Sequence, residues 1–446
     1  MKYLLTPVWG LFALLMVLLA SCSEETQVIE YEEIEQLVLD EWIETNSDPA
    51  IAALANCRQE QGFYVTELED SAPTGDPIMD IGQCWVNYNM TAYDLEGNVI
   101  SSRNEVVIWQ QGTYCVRTRY VPIFEFITLD EDDDLDYEVP PFLYYALTQE
   151  LNIDGAPAYI RVGSKFRVYT PSEYIGDAAT IETGFGGYLS FGGVTPMVAD
   201  IEIVSIVANI SSWETFAIEA FASNNGTFDK TVSYNSSTDD DDEDAIEEYN
   251  VAKEELVDTW SNALSSVSNL YIKRRYTPSE IFTYSTPYTL TTLPAGASPY
   301  EDVDAMNEAI RDVLIDLFGE GEMDGNRILD SEANIWYVAR TLDGFVFDTN
   351  IEEVMEIIIG EEASSSYTYI SYSSDDDADD YITALYYAIP QLRYGQWASF
   401  IFTSTYGYEE DGAVAGTVTD GGSTTSLAPY TPLLFEVYIE PQWDVD

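Results

Sequence analysis

The chain has 446 residues, and its 80 Asp and Glu against 17 Lys and Arg give a formal net charge of −63 at pH 7. A body this acidic repels phosphate backbones, so we predict no nucleic-acid partner. The absence of His excludes triads, general bases and metal ligands built on imidazole. We predict no cofactor and no metal site. This excess of carboxylates is typical of a protein surface adapted to high salt concentration. The alternative is an acidic face that binds cationic clients or Ca²⁺.

Residues 1–21 are predicted to be an export signal, because Lys2 precedes an apolar core, Leu11 to Leu19, that is short for a membrane span. The signal ends at Leu19-Ala20-Ser21-Cys22, which resembles a bacterial lipobox. That resemblance implies a lipid on Cys22 that anchors the protein to a membrane. A simple signal peptide with an incidental cysteine is the alternative. The following Ser23-Glu24-Glu25 resembles the surface-export signal of Bacteroidota lipoproteins, so we expect an outer-membrane lipoprotein, with the cell surface favoured over the periplasmic face.

The two halves of the chain repeat each other at an offset of roughly 240 residues. Three segments recur in the same order: Leu95 to Ser101 as Leu342 to Asp348, Tyr144 to Leu147 as Tyr386 to Ile389, and Thr195 to Ile203 as Thr431 to Ile439. We therefore predict two domains of ordinary size. Their expected bounds are a tether at 22–30, a first domain at 31–210, an acidic linker region at 211–249 and a second domain at 250–446.

Cys57, Cys84 and Cys115 all lie in the first half, so at most one disulfide is expected, and their spacing does not resemble a metal site. Acidic runs occur at Asp130 to Asp136 and Asp375 to Asp380, at matching places in the repeats. We interpret both runs as solvated loops and helix N-termini, with cation binding as the alternative.

The second half carries an insertion near 300–324 that is predicted to form an amphipathic helix. Its apolar residues fall at helical spacing: Val303, Met306, Ile310, Val313, Leu314 and Leu317. The residues that follow, Glu320 to Asn326, suggest a calcium loop, but Ser331 stands at the twelfth position where an EF-hand needs Glu. We interpret them as an acidic turn.

Each half otherwise indicates many short strands and one main helix. In the second half, Ile382, Leu385, Tyr386 and Ile389 have helical spacing, with Asp379 or Asp380 as the expected N-cap, and the strand Trp397 to Phe402 follows. The last strand alternates, so that Leu433, Phe435, Val437 and Ile439 should share one face. The predicted class is α+β, an antiparallel sheet wrapped around a single helix in each half.

The segment Trp336 to Thr349 contains Tyr337, Leu342-Asp343-Gly344 and Phe347-Asp348, and it is similar to the YxGxLxDGxxFDxS segment of FKBP-type peptidyl-prolyl isomerases. Pro432 to Val437 resembles the closing strand of that family, and Gly62 to Val65 and Asn269 to Ile272 both resemble its opening strand. The resemblance covers most of both halves at low identity. It implies two tandem FKBP-like domains that act on proline-containing polypeptides.

The same resemblance implies a pocket of aromatic and apolar side chains in the second half. The matching residues are Tyr337, Phe347, Asp348, Ile382, Leu385, Tyr408 and Phe435. Phe347, Leu385 and Phe435 would form walls and floor, Tyr337 and Asp348 one end, and Tyr408 would donate a hydrogen bond to a substrate carbonyl. Leu385 stands where the family often has Trp, and Glu409 stands where Gly is expected. Tyr367, in the expected flap strand, is a further candidate. The alternative interpretation is that these residues are ordinary core.

The first half lacks the corresponding residues. Ile100-Ser101 replaces Phe-Asp, Ala199 replaces the floor phenylalanine, and Ile175 falls at the place of the tyrosine. Tyr88 matches Tyr337 only after a shift of two residues. We therefore expect catalysis in the second half alone, and a role in binding or spacing for the first.

Two other functions stay open. One is a non-catalytic module in which both halves bind a protein partner within an outer-membrane assembly. The other is a carbohydrate-binding surface lipoprotein, suggested by 33 Tyr and nine Trp. The aromatics follow strand alternation rather than clustering in one loop, which argues against carbohydrate binding.

Overall fold

The structure is a computed structural model. It describes residues 31–226 and 261–440, apart from 82, 113, 128–139, 154, 172–179, 183–187, 191–195, 265–266, 276–281, 289–299, 301, 320–331, 364–366, 374, 377–380, 410–411, 413 and 416–424. The export signal, Cys22, the tether, the acidic run Asp130 to Asp136, residues 227–249 of the predicted linker region and the turn at 320–326 lie outside the described residues. None of the described helices is long and apolar enough to span a membrane.

The first half forms an antiparallel sheet of six strands. The strands are β1 (Tyr64–Glu67), β2 (Cys84–Asp94), β3 (Val99–Ser102), β4 (Ile123–Ile127), β7 (Lys165–Thr170) and β10 (Met197–Val207). Their order across the sheet is β1-β7-β10-β2-β3, with β4 pairing the other end of β2. Two short ladders stand apart from the sheet: β5 (Leu151–Ile153) with β6 (Ala156–Ala158), and β8 (Thr180–Glu182) with β9 (Tyr188–Ser190).

The second half repeats this order of strands. Its strands are β11 (Ser261–Leu264), β12 (Val267–Arg275), β13 (Ala333–Thr341), β14 (Val346–Thr349), β15 (Ile370–Tyr372), β16 (Trp397–Phe402) and β19 (Leu433–Ile439). The order is β12-β16-β19-β13-β14, with β15 on β13 and β11 added beside β12. A short ladder joins β17 (Val414–Ala415) to β18 (Thr425–Ser426). The sequence repeat is therefore also a repeat of sheet topology.

The helices occupy matching places in the two halves and also add to them. They are α1 (Tyr31–Thr45), α2 (Pro49–Ala53), α3 (Glu105–Gln111), α4 (Pro141–Thr148), α5 (Ile210–Asn224), α6 (Val303–Phe318), α7 (Glu352–Ile359) and α8 (Thr383–Ala388). In both halves one helix follows the short second strand of a hairpin: α3 follows β3, and α7 follows β14. A second helix comes before a central strand: α4 before β7, and α8 before β16. The α+β class is confirmed.

The alternation predicted for the last strand is confirmed. Leu433, Phe435, Val437 and Ile439 belong to one apolar cluster with Leu385 of α8, while Leu434 and Tyr438 belong to a cluster on the other face. That other face is covered by α5, α6 and α7. The prediction of a sheet wrapped around a single helix is therefore incomplete, because the second sheet is buried on both faces. In the first half, α1 covers the second face through Leu39 and Ile43.

Two predicted helices differ in detail from the structure. The insertion helix α6 buries Val303, Met306, Ile310 and Leu314, but Leu317 is exposed. Helix α8 begins after Ile382, which makes no side-chain cap, and the expected caps Asp379 and Asp380 lie outside the described residues. A 3-10 turn, Ile389–Gln391, ends that helix at Pro390.

The range 211–249, predicted as a linker, begins instead with a packed helix. Asn209 caps α5 by accepting a hydrogen bond from the backbone N–H of Ser212 at 2.7 Å. Ile218, Phe221 and Ala222 then enter the apolar cluster of the second sheet. Because α5 supplies part of that core, a fragment starting near residue 250 would leave an apolar face of the second half uncovered.

The three cysteines that remain after Cys22 are thiols in the structure, with Cys57 and Cys84 buried. Burial raises the pKa of the Cys84 thiol. A buried thiol of raised pKa is poorly reactive, so Cys84 acts as a small apolar residue of the core.

A pair of equivalent glycines turns the hairpins of the two halves and gives a matched prediction. Gly344 and Gly97 both have positive φ, 91° and 84°. A Cβ on Gly344 would lie 2.8 Å from the Tyr284 ring and 2.9 Å from Val303, whereas no atom lies within 4 Å of the corresponding position on Gly97. Gly97→Ala should cost about 1–2 kcal/mol of unfolding free energy through backbone strain. Gly344→Ala should cost about 1–3 kcal/mol more through overpacking. Equal costs in urea titrations would contradict the packing explanation.

Candidate functional site

The seven predicted site residues are brought together on one face of the second sheet. Tyr337 lies in β13, Phe347 and Asp348 in β14, Phe435 in β19, Leu385 in α8, Ile382 just before it, and Tyr408 after the 3-10 turn Ser404–Tyr406. Phe347, Leu385 and Phe435 are buried in a single apolar cluster, and Tyr337, Ile382 and Tyr408 pack against it. Tyr367 packs against the cluster on the opposite face of the sheet, so it does not join the site.

Four aromatic rings contact one another at the site. The Tyr337 ring stacks on Phe435 with centroids 5.7 Å apart and planes 11° from parallel. Phe347 lies 6.1 Å from Phe435, and the Tyr408 ring meets Phe347 edge to face at 6.3 Å. Phe347 and Phe435 are 0% and 2% exposed, whereas Tyr337 and Tyr408 are half-buried. A ligand would therefore touch the tyrosines first and rest on the phenylalanines beneath them.

Hydrogen bonds fix the end of the site formed by Tyr337 and Asp348. The Tyr337 hydroxyl donates to Asp348 Oδ2 at 2.7 Å, and the backbone N–H of Tyr337 donates to Asn350 Oδ1 at 2.8 Å. Burial, and next the Asp348 carboxylate, raise the pKa of Tyr337 well above its usual value. Burial also raises the pKa of Asp348, although Tyr337 and Arg117 act in the opposite direction. Tyr337 therefore stays protonated near neutral pH and remains a donor.

Tyr408 offers a second hydroxyl at the site. Burial raises its pKa, and Asp348 adds to the rise, so the phenol stays protonated. Among the residues that the structure describes, the Tyr408 hydroxyl has no hydrogen-bond partner. Its O–H is thus available to an acceptor on a ligand.

A buried acid of α5, Glu214, holds the start of the turn that precedes Tyr408. Glu214 of α5 accepts hydrogen bonds from the Ser404 backbone N–H at 2.7 Å and from the Ser404 hydroxyl at 3.0 Å. Ser404 starts the turn that leads to Tyr408. No local sequence pattern indicates this contact, because the two residues are 190 positions apart.

Glu214 gives a pH-dependent prediction. Burial raises its pKa to about 7, from an ordinary value of 4.5. A folded-state pKa above the unfolded one means that the contribution to stability is complete below pH 4.5 and is lost as the pH rises through about 7. Glu214→Gln should remove up to about 3 kcal/mol of this pH dependence. The check is the unfolding free energy of the wild type and of Glu214→Gln, each measured at about pH 5 and about pH 8. If the change between the two pH values is the same in both proteins, the prediction is contradicted.

Among the residues that the structure describes, the first half does not repeat the arrangement of Tyr337, Asp348 and Phe435. In the second half, Ala339 of β13 pairs with Asp348 on one neighbouring strand and with Phe435 on the other. In the first half, Ala92 of β2 pairs in the same way with Ser101 and with Ala199. That register places Met90, not Tyr88, at the position of Tyr337. Tyr88 lies two residues away, and its hydroxyl donates to Glu125 at 2.7 Å. The proposed match of Tyr88 with Tyr337 is therefore wrong, and Ile175 lies outside the described residues.

A loop of the first half reaches the second-half site. We define the arginine loop as residues 114–122. Arg117 Nη2 donates to Asp348 Oδ1 at 2.9 Å, and Arg119 donates to Asp343 through Nε at 3.0 Å and Nη2 at 2.8 Å. The sequence held one signal for this loop: two of only 17 cations stand within three residues.

A separate cavity of about 440 Å³ lies between the halves, away from the aromatic floor. Its lining includes Phe124 and Arg119 from the first half, Trp213 from α5, and Leu342 and Tyr430 from the second half. The candidate site is distinct from it, since Phe347 and Phe435 do not line it. Among the described residues, no group of three or more Cys, Asp and Glu is placed to hold a metal ion.

The comparisons with known proteins find neither a matching family model nor a matching curated sequence. Solved structures that resemble the chain include the three FKBP domains of wheat FKBP73, at 13% identity and a TM-score of 0.20, over 85% of this chain and 94% of that one. AtFKBP13 matches at 13% identity and a TM-score of 0.23, over 34% of this chain and 98% of that one. The peptidyl-prolyl cis-trans isomerase of Pseudomonas syringae matches at 13% identity and a TM-score of 0.23, over 41% of this chain and 98% of that one. Likenesses this low do not assign an activity to the chain, whose function has to be inferred from its own contacts.

Proposed function

We propose that the chain is a tandem FKBP-like lipoprotein whose second half catalyses cis–trans isomerisation of X–Pro bonds. The observation that carries the proposal is the Tyr337 ring, stacked on Phe435 and tied through its hydroxyl to Asp348. In its described residues the first half keeps the strand order and lacks two of the site side chains, with Ala199 and Ser101 in the positions of Phe435 and Asp348.

The proposed chemistry needs no imidazole, metal or nucleophile. An X–Pro bond isomerises slowly because twisting the amide loses resonance, across a barrier of about 18–20 kcal/mol. A twisted amide is less polar than a planar one, so a dry aromatic floor favours it over the ground state. In this proposal the proline ring rests on Phe435 and Phe347, and the Tyr408 hydroxyl donates to a substrate carbonyl.

The anchor and the clients belong to the same proposal. A lipid on Cys22 would hold the protein at the outer membrane, on the cell surface or facing the periplasm. The clients would be proline-containing segments of exported proteins. With a net charge of −63, the protein would be repelled electrostatically by anionic lipid and by acidic clients.

A second candidate is a binding module without catalysis. The observation that favours it is the burial of Phe347 and Phe435 together with the Arg117 contact on Asp348, which leaves less room for a moving amide. In this case both halves would present surfaces to a protein of the outer membrane.

Titration with matched peptides tests the proposal. The soluble chain from Ser23 onward should bind a short peptide that contains one proline, and bind it more weakly when alanine replaces the proline. Exchange spectroscopy on the same peptide then separates the two candidates, because only an enzyme accelerates the cis–trans exchange. Equal binding of both peptides, with no acceleration, would overturn the proposal.

A further inference from the structure

The arginine loop is held against the second half by several independent contacts. Arg119 pairs with Asp343, and its guanidinium lies 4.4 Å from the centre of the Tyr288 ring. The Tyr288 hydroxyl donates to Glu105 of α3 at 2.7 Å, which links the loop's neighbouring helix to the same place. Inside the loop, the Cys115 backbone N–H donates to the Tyr120 hydroxyl at 3.0 Å. The position of Arg117 is therefore defined by its surroundings and not by its own ion pair alone.

Arg117 is unusually buried for a cation. It is 7% exposed, and its charge is balanced by Asp348, whose other oxygen accepts from Tyr337. The three side chains form a continuous chain, Arg117 to Asp348 to Tyr337, in which the first member comes from the other half of the molecule. The site as observed includes a residue that the second half does not supply.

The Arg117 Nε–H is buried and has no acceptor among the described residues. Buried N–H groups are nearly always hydrogen-bonded, so an orphan donor on a guanidinium calls for an acceptor. Because Asp348 already balances the charge, an incoming carboxylate would add an unbalanced negative charge, whereas a neutral carbonyl would not. The chemistry therefore matches a peptide carbonyl.

We infer that Arg117 is a ligand-binding residue of the second-half site, and that its Nε–H takes a backbone carbonyl of the proline-containing client. The inference rests on the proposed function and deepens it. The ligand class is a peptide with a carbonyl near its proline, held between Arg117 at one end and the aromatic floor. The first half, whose described residues do not form such a site, thus completes that of the second.

The test couples changes in the protein to changes in the ligand. In a series of peptides, each backbone carbonyl near the proline is replaced in turn by a thiocarbonyl, a weaker acceptor. The soluble chain from Ser23 onward should lose about tenfold in affinity at one position. Arg117→Lys keeps a charge for Asp348 but lacks the Nε–H, so it should bind the parent peptide more weakly and lose nothing further at that position.

Arg119→Lys is the matched control, because Arg119 lies in the same loop and pairs with Asp343 instead of Asp348. The Arg119→Lys protein should show the same loss of affinity as the wild type when that one carbonyl of the peptide is replaced by a thiocarbonyl. Arg117→Met serves as a second variant, and the unfolding midpoint of each protein is measured beside its affinity. If both Arg117 variants bind every peptide as tightly as the wild type or more tightly, Arg117 covers the site and the inference is overturned. A wild type without proline-dependent binding would overturn the proposed function itself, which is a distinguishable result.

Discussion

Phe435→Ala should abolish catalysed X–Pro isomerisation and lower the unfolding free energy by about 3–5 kcal/mol. The ring packs against Tyr337 at 5.7 Å, Phe402 at 5.4 Å and Phe347 at 6.1 Å, so its loss removes the floor and leaves a cavity beneath the site. Both effects follow from one side chain, and they must be separated. Activity per folded molecule is the quantity to compare.

Phe166→Ala in the first sheet is the matched control. Phe166 is as buried as Phe435, but it belongs to the cluster of the first half. It should cost a similar unfolding free energy and leave isomerisation intact. Phe435→Leu supplies a milder variant that keeps an apolar side chain and removes the ring. Activity that persists in folded Phe435→Leu at the wild-type level would show that the site is misplaced.

Glu436→Leu should lower the unfolding free energy by about 3–5 kcal/mol, because it leaves the Arg340 charge buried without its counter-ion. Arg340 and Glu436 are each 1% exposed, and Arg340 Nε donates to Glu436 Oε2 at 2.9 Å. The double variant Arg340→Met with Glu436→Leu should recover most of the loss, since it replaces both charges by apolar groups. Urea titrations measure each effect.

The first half provides the control for this pair as well. Asp200 occupies the strand position equivalent to Glu436, and it pairs with Arg167 in a partly exposed site. Asp200→Leu should cost only about 0–1 kcal/mol, because solvent screens that pair. If Asp200→Leu and Glu436→Leu cost the same, burial is not what makes the Arg340 pair sensitive.

Local patterns were enough to predict much of the fold. The alternation of the last strand, the spacing of Val303, Met306 and Ile310, and the Leu-Asp-Gly turn each depend on residues close together in sequence. The repeat allowed the two halves to be compared position by position. The seven residues that the structure brings together at the candidate site came instead from the resemblance to the FKBP family, because alternation and spacing alone do not distinguish a site from ordinary core.

Contacts between distant segments could not be predicted in this way. Arg117 reaches Asp348 across 231 positions, and Glu214 reaches Ser404 across 190. Neither contact follows from a period, a cap or a turn. The second apolar face of the sheet was missed for a related reason: α5 looked like the start of a linker, because its partner core lies far along the chain. Tyr88 was mismatched since a two-residue shift preserves which face a strand residue points to.

Catalysis by the second half is tested most directly by the rate of cis–trans exchange of a proline-containing peptide in the presence of the soluble chain from Ser23 onward, α5 included. The uncatalysed exchange takes tens to hundreds of seconds. We expect a rate that rises with protein concentration in the wild type and in Phe166→Ala, and that stays at the uncatalysed value in folded Phe435→Leu. A wild-type chain that binds the peptide and leaves the rate unchanged would contradict catalysis and favour the binding module.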